Sequence, residues 1–219
     1  LSSRLSKKLQ KNFPRFNNTK TNYSIMKLTK QKLYRLIEQV MLTEAAKGIE
    51  DIPEGYHVIC MKIGMGFRIS LDSINDDGGE ELGYIHFAHI KPKFGNCLRG
   101  MVIKNSRAKD GWGPLLYDLV MEKASIEASG IIPDRAIVSG AARSVWEYYL
   151  NNRMDDIFVR QLDNLEDSFN DGKRNDCSQK SSVRHLKSDW TQSPLSKLYS
   201  KDPTTIEKLK NLGKWTELN

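Results

Sequence analysis

The stretch that decides the fold is residues 102–118, Val-Ile-Lys-Asn-Ser-Arg-Ala-Lys-Asp-Gly-Trp-Gly-Pro-Leu-Leu-Tyr-Asp. Its apolar start predicts a strand. Pro114 predicts the first turn of a helix, because proline has a helical φ and no N–H is needed there. Between them lies a loop with two glycines, Gly111 and Gly113. The stretch therefore predicts a strand–loop–helix unit.

The loop offers two kinds of group to an anion. Glycines let the backbone curl so that several N–H groups point one way, and the helix N-terminus adds a partial positive charge. Basic side chains add full charges. This chemistry suits a pyrophosphate, and the candidate binding residues are Arg107, Lys109, Asp110, Gly111, Trp112 and Gly113. No Gly-Lys-Ser/Thr follows, and the full dinucleotide glycine spacing is absent, so a nucleotide P-loop and a Rossmann site are disfavoured.

Upstream of this unit the sequence predicts antiparallel strands. Adjacent glycines in Asp76-Asp77-Gly78-Gly79 predict a hairpin turn, because glycine readily takes positive φ angles. Apolar alternation and turn residues place the strands at residues 57–63, 67–71, 81–90 and 98–104.

Downstream of the unit the period changes to that of helices. A helix is predicted from Pro114 to about Ser129, and Ser139 is predicted to cap a second helix that ends near Asn151. Short strands are predicted at residues 135–138 and 157–162. The sum is a mixed α/β architecture with a largely antiparallel sheet flanked by helices.

Two flanking regions complete the organisation. Helical spacing of apolar residues predicts an amphipathic helix from Thr29 to about Lys47, with Gly48 as its stop. Residues 164–190 are polar and predict a linker, and residues 194–218 predict a docked helical tail. The predicted division is a basic leader at 1–25, an N-terminal helix at 26–50, the main domain at 51–165, and a linker with tail at 166–219.

The net charge of +7 belongs to the start of the chain. Residues 1–35 contain ten basic residues and no acid, which leaves −3 for residues 36–219. A body that grips nucleic acid across its surface is therefore disfavoured, whereas phosphate contact through the basic arm 1–35 stays open.

The chain opens at Leu1, and its first methionine is Met26. Residues 1–25 are basic and acid-free, which fits a functional tail, an organelle presequence or a segment upstream of a start at Met26. The third interpretation is slightly favoured. No apolar run is long enough to cross a bilayer, so no membrane is expected.

The cysteines Cys60, Cys97 and Cys177 are odd in number and widely spaced, which predicts a reducing compartment rather than a disulfide scaffold. Cys177 is interpreted as a stray thiol in a loop. His86 and His89 are three residues apart on a predicted strand and point to opposite faces, so no metal site is expected.

At residues 102–118 the chain resembles the GNAT superfamily of acyl-CoA-dependent N-acyltransferases. In that family a Q/R-x-x-G-x-G/A loop after a strand holds the pyrophosphate of acetyl-CoA through backbone N–H groups, and a helix, a strand and another helix follow. Gly111 and Gly113 match the two glycines. Ala108 stands at the Q/R position, with Arg107 one residue earlier, and Pro114 lacks an N–H. The resemblance covers residues 67–163 and implies a GNAT-like fold with acetyl-CoA as cofactor.

The resemblance also implies a proton donor on the last helix, where the family often has a tyrosine. The family pattern Asn-x-x-Ala-x-x-x-Tyr aligns with Ser139, Ala142 and Trp146, and tryptophan cannot act as that acid. Tyr149 is one turn further on, and Tyr148 is adjacent, so these two are the candidate catalytic residues. A core-facing aromatic stripe is the alternative interpretation.

The expected function is transfer of an acetyl group from acetyl-CoA to an unidentified amine acceptor. The runs at residues 113–118 and 145–149 are also similar to tailed-phage proteins with GNAT-like domains. That likeness implies a cytoplasmic location, in the host cytoplasm or the virion, and an alternative role as a non-catalytic structural or binding protein. Binding of acetyl-CoA separates the two functions.

Overall fold

The computed structural model describes residues 46–74, 80–91, 96–109, 111–135, 138–162, 177 and 191–219. Within these ranges the chain forms eight strands and three helices. The strands are β1 (Tyr56–Ile63), β2 (Gly66–Ser73), β3 (Gly83–His89), β4 (Met101–Ala108), β5 (Ile131–Ile132), β6 (Ile157–Gln161), β7 (Lys197–Lys201) and β8 (Trp215–Leu218). The helices are α1 (Gly113–Glu127), α2 (Gly140–Asn152) and α3 (Thr204–Asn211). The predicted mixed α/β class is confirmed.

One sheet holds the eight strands in the order β6-β7-β5-β4-β3-β2-β1-β8. Strands β1 to β4 are paired antiparallel in sequence order, and β7 pairs antiparallel with both β5 and β6. The parallel pairs are β4 with β5 and β1 with β8. The predicted largely antiparallel sheet is therefore confirmed.

The three helices of the described chain lie on one face of this sheet. Tyr117 of α1 meets Trp146 of α2 edge to face, with ring centroids 5.3 Å apart. Trp146 in turn stacks on Tyr199 of β7, at 4.7 Å. Beneath α1 lies the main core, to which the strands contribute alternate residues that include Val58, Cys60, Ile69, Leu71, Ile85 and Phe87.

The two central helices begin as the sequence predicts. Pro114 lies in the first turn of α1, and Gly130, with φ of 129°, follows its C-terminal end. The Ser139 hydroxyl oxygen accepts a hydrogen bond from the Ala142 N–H at 3.1 Å and so caps α2. The sequence was sufficient to predict the starts of both helices, because each start depends on a single residue.

Two predicted strands are displaced. The strand predicted at residues 135–138 is wrong: β5 is Ile131–Ile132, and Arg135 is a fully buried bend residue. Proline at position 133 cannot donate to a sheet, so the strand ends before it. The strand predicted from Leu98 begins at Met101, because residues 97–99 form a 3₁₀ turn with positive φ angles, and it continues to Ala108.

The predicted helical C-terminal tail is also wrong in part. Residues 197–201 and 215–218 are strands of the sheet, and only α3 is helical as predicted. Strand β7 inserts between β5 and β6, and β8 pairs with β1 at the opposite edge. The two strands of residues 191–219 therefore belong to the same sheet as the strands of residues 56–161.

A second, smaller core lies on the other face, beside β5 and β7. Cys97, Ile132 and Leu198 are fully buried there with Leu162 and Cys177. Cys97 and Cys177 form a disulfide with a Cα–Cα distance of 4.6 Å, and Arg135 donates a hydrogen bond to the Cys177 carbonyl oxygen at 3.3 Å. The expectation of a stray Cys177 thiol and no disulfide is thus wrong, because residues 80 positions apart converge at this core.

Several predictions lie outside the described residues. They are the leader 1–25, the basic arm 1–35, the turn 76–79, the predicted binding residue Asp110, and the linker except for Cys177. The predicted N-terminal helix also lies outside them, apart from its last residues. Residues 46–48 are not helical, and Ile49–Asp51 form a 3₁₀ turn. Among the described helices, none is long and apolar enough to cross a membrane.

Candidate functional site

The candidate site lies where strand β4 leaves its parallel neighbour. β4 pairs with β5 through Met101 and Val102 alone, and it then continues to Ala108 beside β3. The pairing register between β3 and β4 shifts between His86 and Phe87 of β3. Lys104 of β4 is therefore an extra residue that bulges from the strand pair. Beyond the bulge, the β4 backbone has no described strand on its β5 side. In the described part of the chain, the hydrogen-bonding groups on that edge of β4, beside the helix that follows, therefore have no strand partner.

The glycine turn joins the end of β4 to α1. The Lys109 N–H donates to the Leu82 carbonyl oxygen at 2.8 Å, and the Trp112 N–H donates to the Lys109 carbonyl oxygen at 3.1 Å. Gly111 has φ of 86°, in the left-handed region that favours glycine. Among the described residues, no acceptor faces the N–H groups of Gly111 and Gly113. These two N–H groups, and not that of Trp112, can therefore receive an anion.

Two contacts with the N-terminal side hold this turn in place. The Lys47 N–H donates to the Gly111 carbonyl oxygen at 2.9 Å, and the Lys47 ammonium lies 5.1 Å from the centre of the Trp112 ring. Trp112 is 2% exposed and belongs to the main core. Trp112 is therefore an anchor of the turn and not a surface that receives a ligand.

Gly113, the first residue of α1, faces open space. A Cβ atom built on it would have no heavy atom within 4 Å. Within the described residues no side chain caps the helix, and Pro114 offers no N–H. The start of α1 thus leaves room close to the backbone, which is the condition that a phosphate group needs at a helix N-terminus.

The basic side chains point away from this helix end. Ser106 shares a hydrogen bond with Tyr117 of α1, so Arg107, the next residue of the strand, faces the opposite side of the sheet. Lys109 forms an ion pair with Glu80, whose pKa is lowered by that hydrogen bond. Arg107 and Lys109 line a cavity of about 150 Å³ together with Glu80, Glu81, Leu82 and Gly83. The structure therefore separates the predicted binding residues into two groups.

The two candidate tyrosines differ in exposure. Tyr149 is 1% exposed, and its hydroxyl oxygen lies 2.8 Å from an Asp118 carboxylate oxygen and 3.1 Å from the Pro114 carbonyl oxygen. Burial and the Asp118 charge raise the pKa of Tyr149 well above its usual value. Tyr148 is half-buried, and its ring packs at 5.9 Å from that of Tyr149. Tyr149 contacts the first turn of α1, whereas Tyr148 reaches the surface.

A partly buried charge cluster beside α1 was not predicted from the sequence. Arg153 contacts Asp118 at 3.0 Å and also pairs with Asp156. Burial raises the pKa of Asp118, although the nearby positive charges of Arg153 and Lys201 oppose this shift. The Arg153 hydrogen bond lowers the pKa of Asp156. Arg153 and Asp156 are close in sequence, but Asp118 lies 35 positions before Arg153 and carries no motif, so no local signal could find its place in the cluster.

The second missed feature is a helix cap supplied from another helix. Glu122 of α1 is fully buried, and its carboxylate accepts hydrogen bonds from the N–H groups of Thr205 at 2.9 Å and Ile206 at 2.7 Å. It also pairs with Lys201, which is 4% exposed. A carboxylate at this end of α3 satisfies its free N–H groups and its dipole. This cluster stabilises the packing of α3 on α1.

No group of three or more His, Cys, Asp or Glu in the described part of the chain could hold a metal ion. Comparison of this chain with protein-family models, with curated proteins and with solved structures found no match.

Proposed function

We propose that the protein is a GNAT-like N-acyltransferase that moves an acetyl group from acetyl-CoA to an amine acceptor. One observation carries this proposal. Strand β4 runs six residues past its last pair with β5 and ends in a glycine turn at the start of α1. An open strand edge beside an open helix N-terminus suits a long ligand that carries a pyrophosphate.

The residues of the turn fit the pyrophosphate of acetyl-CoA. The N–H groups of Gly111 and Gly113 would bind it, and the open space at Gly113 leaves room for it. The free edge of β4 would orient the rest of the molecule through backbone hydrogen bonds. Bound acetyl-CoA would supply a thioester whose acyl carbon an amine can attack. Arg107 and Lys109 would add positive potential from the other side of the sheet.

The roles of the tyrosines follow from their contacts. Tyr148, which is half-buried, would hold a proton on its hydroxyl for the leaving group. Tyr149 would position the start of α1 through its contacts with Pro114 and Asp118. The amine acceptor is not assigned, because the acidic residues near the cavity, Glu80 and Glu81, already pair with Lys109 and Arg68.

The test is calorimetric titration of acetyl-CoA into the full chain and two variants. Gly113→Glu places a negative charge in open space at the start of α1. Gly140→Glu places the same charge at the start of α2, where a Cβ atom also meets nothing within 4 Å. We expect saturable binding to the wild type and to Gly140→Glu, and a loss of at least tenfold in affinity for Gly113→Glu. Equal loss in both variants, or no binding by a folded wild type, would contradict the proposal.

A non-catalytic structural or binding protein is the second candidate, and two observations favour it. The Lys109 ammonium is paired with Glu80, and the hydroxyl of Tyr149 is held inside the protein. This candidate predicts a folded chain without affinity for acetyl-CoA, so the same titration separates the two functions. Nucleic-acid contact through the arm 1–35 stays a prediction, tested by its loss on deletion of that arm and at high salt.

A further inference from the structure

Strand β6 forms one edge of the sheet, and its outer side has no partner strand in the described part of the chain. The Leu162 N–H donates to a carbonyl oxygen of the segment that leads into β7, at 2.9 Å. Hydrogen bonds alternate along an antiparallel pair, so Phe158 and Arg160 also direct their backbone groups to β7. The backbone N–H and C=O groups of Val159 and Gln161 therefore point outward.

This edge also carries an exposed aromatic side chain. Phe158 is 61% exposed, and it lies on the side of the sheet away from α1, because Ile157 and Val159 pack in the main core. Strand β6 contains no proline and no lysine, two residues that protect many edge strands from pairing with another chain. Open backbone groups beside an exposed ring make β6 a surface on which a further strand can pair.

We propose that the partner of β6 is β6 of a second copy of this chain, paired antiparallel about a twofold axis at Val159. The two Val159 residues lie opposite each other and exchange two N–H···O hydrogen bonds. The Gln161 N–H of each copy donates to the Ile157 carbonyl oxygen of the other. The two eight-stranded sheets then form one continuous sheet across a symmetric interface.

The residues of β6 favour this register over its neighbours. An axis at Phe158 would place Ile157 opposite Val159, but the Ile157 N–H already donates to the Arg153 carbonyl oxygen at 3.0 Å. Neither central pair could then exchange both of its hydrogen bonds. An axis at Arg160 would place two cationic side chains directly opposite each other, which is destabilising. The axis at Val159 keeps the central pair complete and separates the two charges.

The side chains are self-complementary in the Val159 register. Phe158 of each copy lies opposite Arg160 of the other, in a pair without mutual hydrogen bonds, where the Cα atoms are about 4.5 Å apart. An aromatic ring attracts a guanidinium group and packs on its aliphatic stem. The twofold axis forms this pair twice. Because β6 has only five residues, the interface is small, and we expect a weak dimer that forms at about 100 µM protein.

Sedimentation velocity of the full chain over a concentration series up to about 100 µM tests the proposal. We expect the wild type to dimerise. Phe158→Lys should weaken dimerisation at least tenfold, because it places a second cation opposite Arg160. Phe158→Glu should retain the dimer, because a carboxylate opposite Arg160 can pair with it. The double variant Phe158→Lys with Arg160→Glu should restore the dimer that Phe158→Lys loses.

The matched control is Ile126→Lys, because Ile126 is an exposed apolar residue, at 53%, on α1 and away from β6. It should dimerise like the wild type. Phe158 is exposed, so its variants should also keep the circular dichroism and the Tm of the wild type. These readouts do not involve acetyl-CoA, so the proposed function can fail without affecting this test.

Three results would overturn the proposal. A wild type that stays monomeric at the highest concentration would show that no second copy pairs with β6. A dimer that persists unchanged in Phe158→Lys would place the contact on another surface. Equal loss of the dimer in Phe158→Lys and Phe158→Glu would exclude the register in which Phe158 lies opposite Arg160.

Discussion

The two halves of strand β4 belong to one continuous strand and have different surroundings. Met101, Val102 and Ile103 are buried, and the first two pair with both β3 and β5, whereas residues 104–108 are exposed and residues 105–108 pair with β3 alone. The bulge at Lys104 separates the halves. The comparison shows that the first half of one strand can pack in the core, while the second half has an edge without a described partner strand. Four predictions test this division.

The largest effect is expected at the buried end, from removal of the disulfide. Replacing both Cys97 and Cys177 by alanine should lower the free energy of unfolding by about 4 kcal/mol, since the bond closes a loop of 80 positions. Urea denaturation measures this change. A thiol assay in denaturant without reductant should find one thiol, that of Cys60, and three thiols would contradict the bond.

Burial raises the pKa of Cys60 to about 12, so this thiol should resist alkylation at pH 8 while the chain is folded.

The next effect compares the two halves directly. Ile103→Ala should lower the free energy of unfolding by about 3 kcal/mol, because Ile103 is 5% exposed and its removal leaves a cavity in the core. Asn105→Ala, beyond the bulge, is the matched control and should change it by less than about 0.5 kcal/mol. Similar decreases in the free energy of unfolding of the two variants would show that the two halves of β4 contribute equally to stability.

A smaller effect is expected where the core supports the start of α1. Tyr149→Phe should lower the free energy of unfolding by about 1.5 kcal/mol, because it leaves the partly buried Asp118 and Pro114 oxygens without their hydroxyl partner. Tyr148→Phe should leave stability nearly unchanged and, if the proposed function holds, should lower the rate of acetyl transfer. A Tyr149→Phe variant of normal stability that loses transfer would instead make Tyr149 the proton donor.

The smallest effect is expected at the exposed end. Arg107→Ala should change the free energy of unfolding by less than about 0.5 kcal/mol, because its side chain lies in solvent. Its effect on acetyl-CoA affinity should be below about threefold, since exposed charges contribute little. A loss as large as that of Gly113→Glu would place the pyrophosphate on the Arg107 side of the sheet.

Local sequence signals predicted the middle of the chain well. The hairpin strands β1 and β2 were predicted from alternation, and α1 and α2 were predicted from Pro114 and Ser139. The glycine turn was also predicted, because glycine and proline restrict or free the backbone at single positions. The separation of Arg107 from the turn was not predicted, since it depends on the strand continuing to Ala108 beside β3.

Long-range pairing explains the wrong predictions. Residues 197–201 and 215–218 have apolar spacing that is also compatible with a helix, and their partners on β5, β6 and β1 turn them into strands. Cys97 and Cys177 meet because the second core brings them together, across 80 positions. The intrinsic preference of a residue for helix or strand contributes less free energy than such tertiary contacts.

By itself, the sequence determined the elements whose ends depend on single residues: the strand–turn–helix unit at residues 102–118 and the capped helix after Ser139. Tertiary structure alone decided which strands became neighbours, which side of β4 stayed open, and where Glu122, Asp118 and the two bonded cysteines met their partners. The physical reason is the sequence distance over which each effect acts. Backbone restrictions act within one turn of chain, whereas burial and strand pairing join residues that the sequence places far apart.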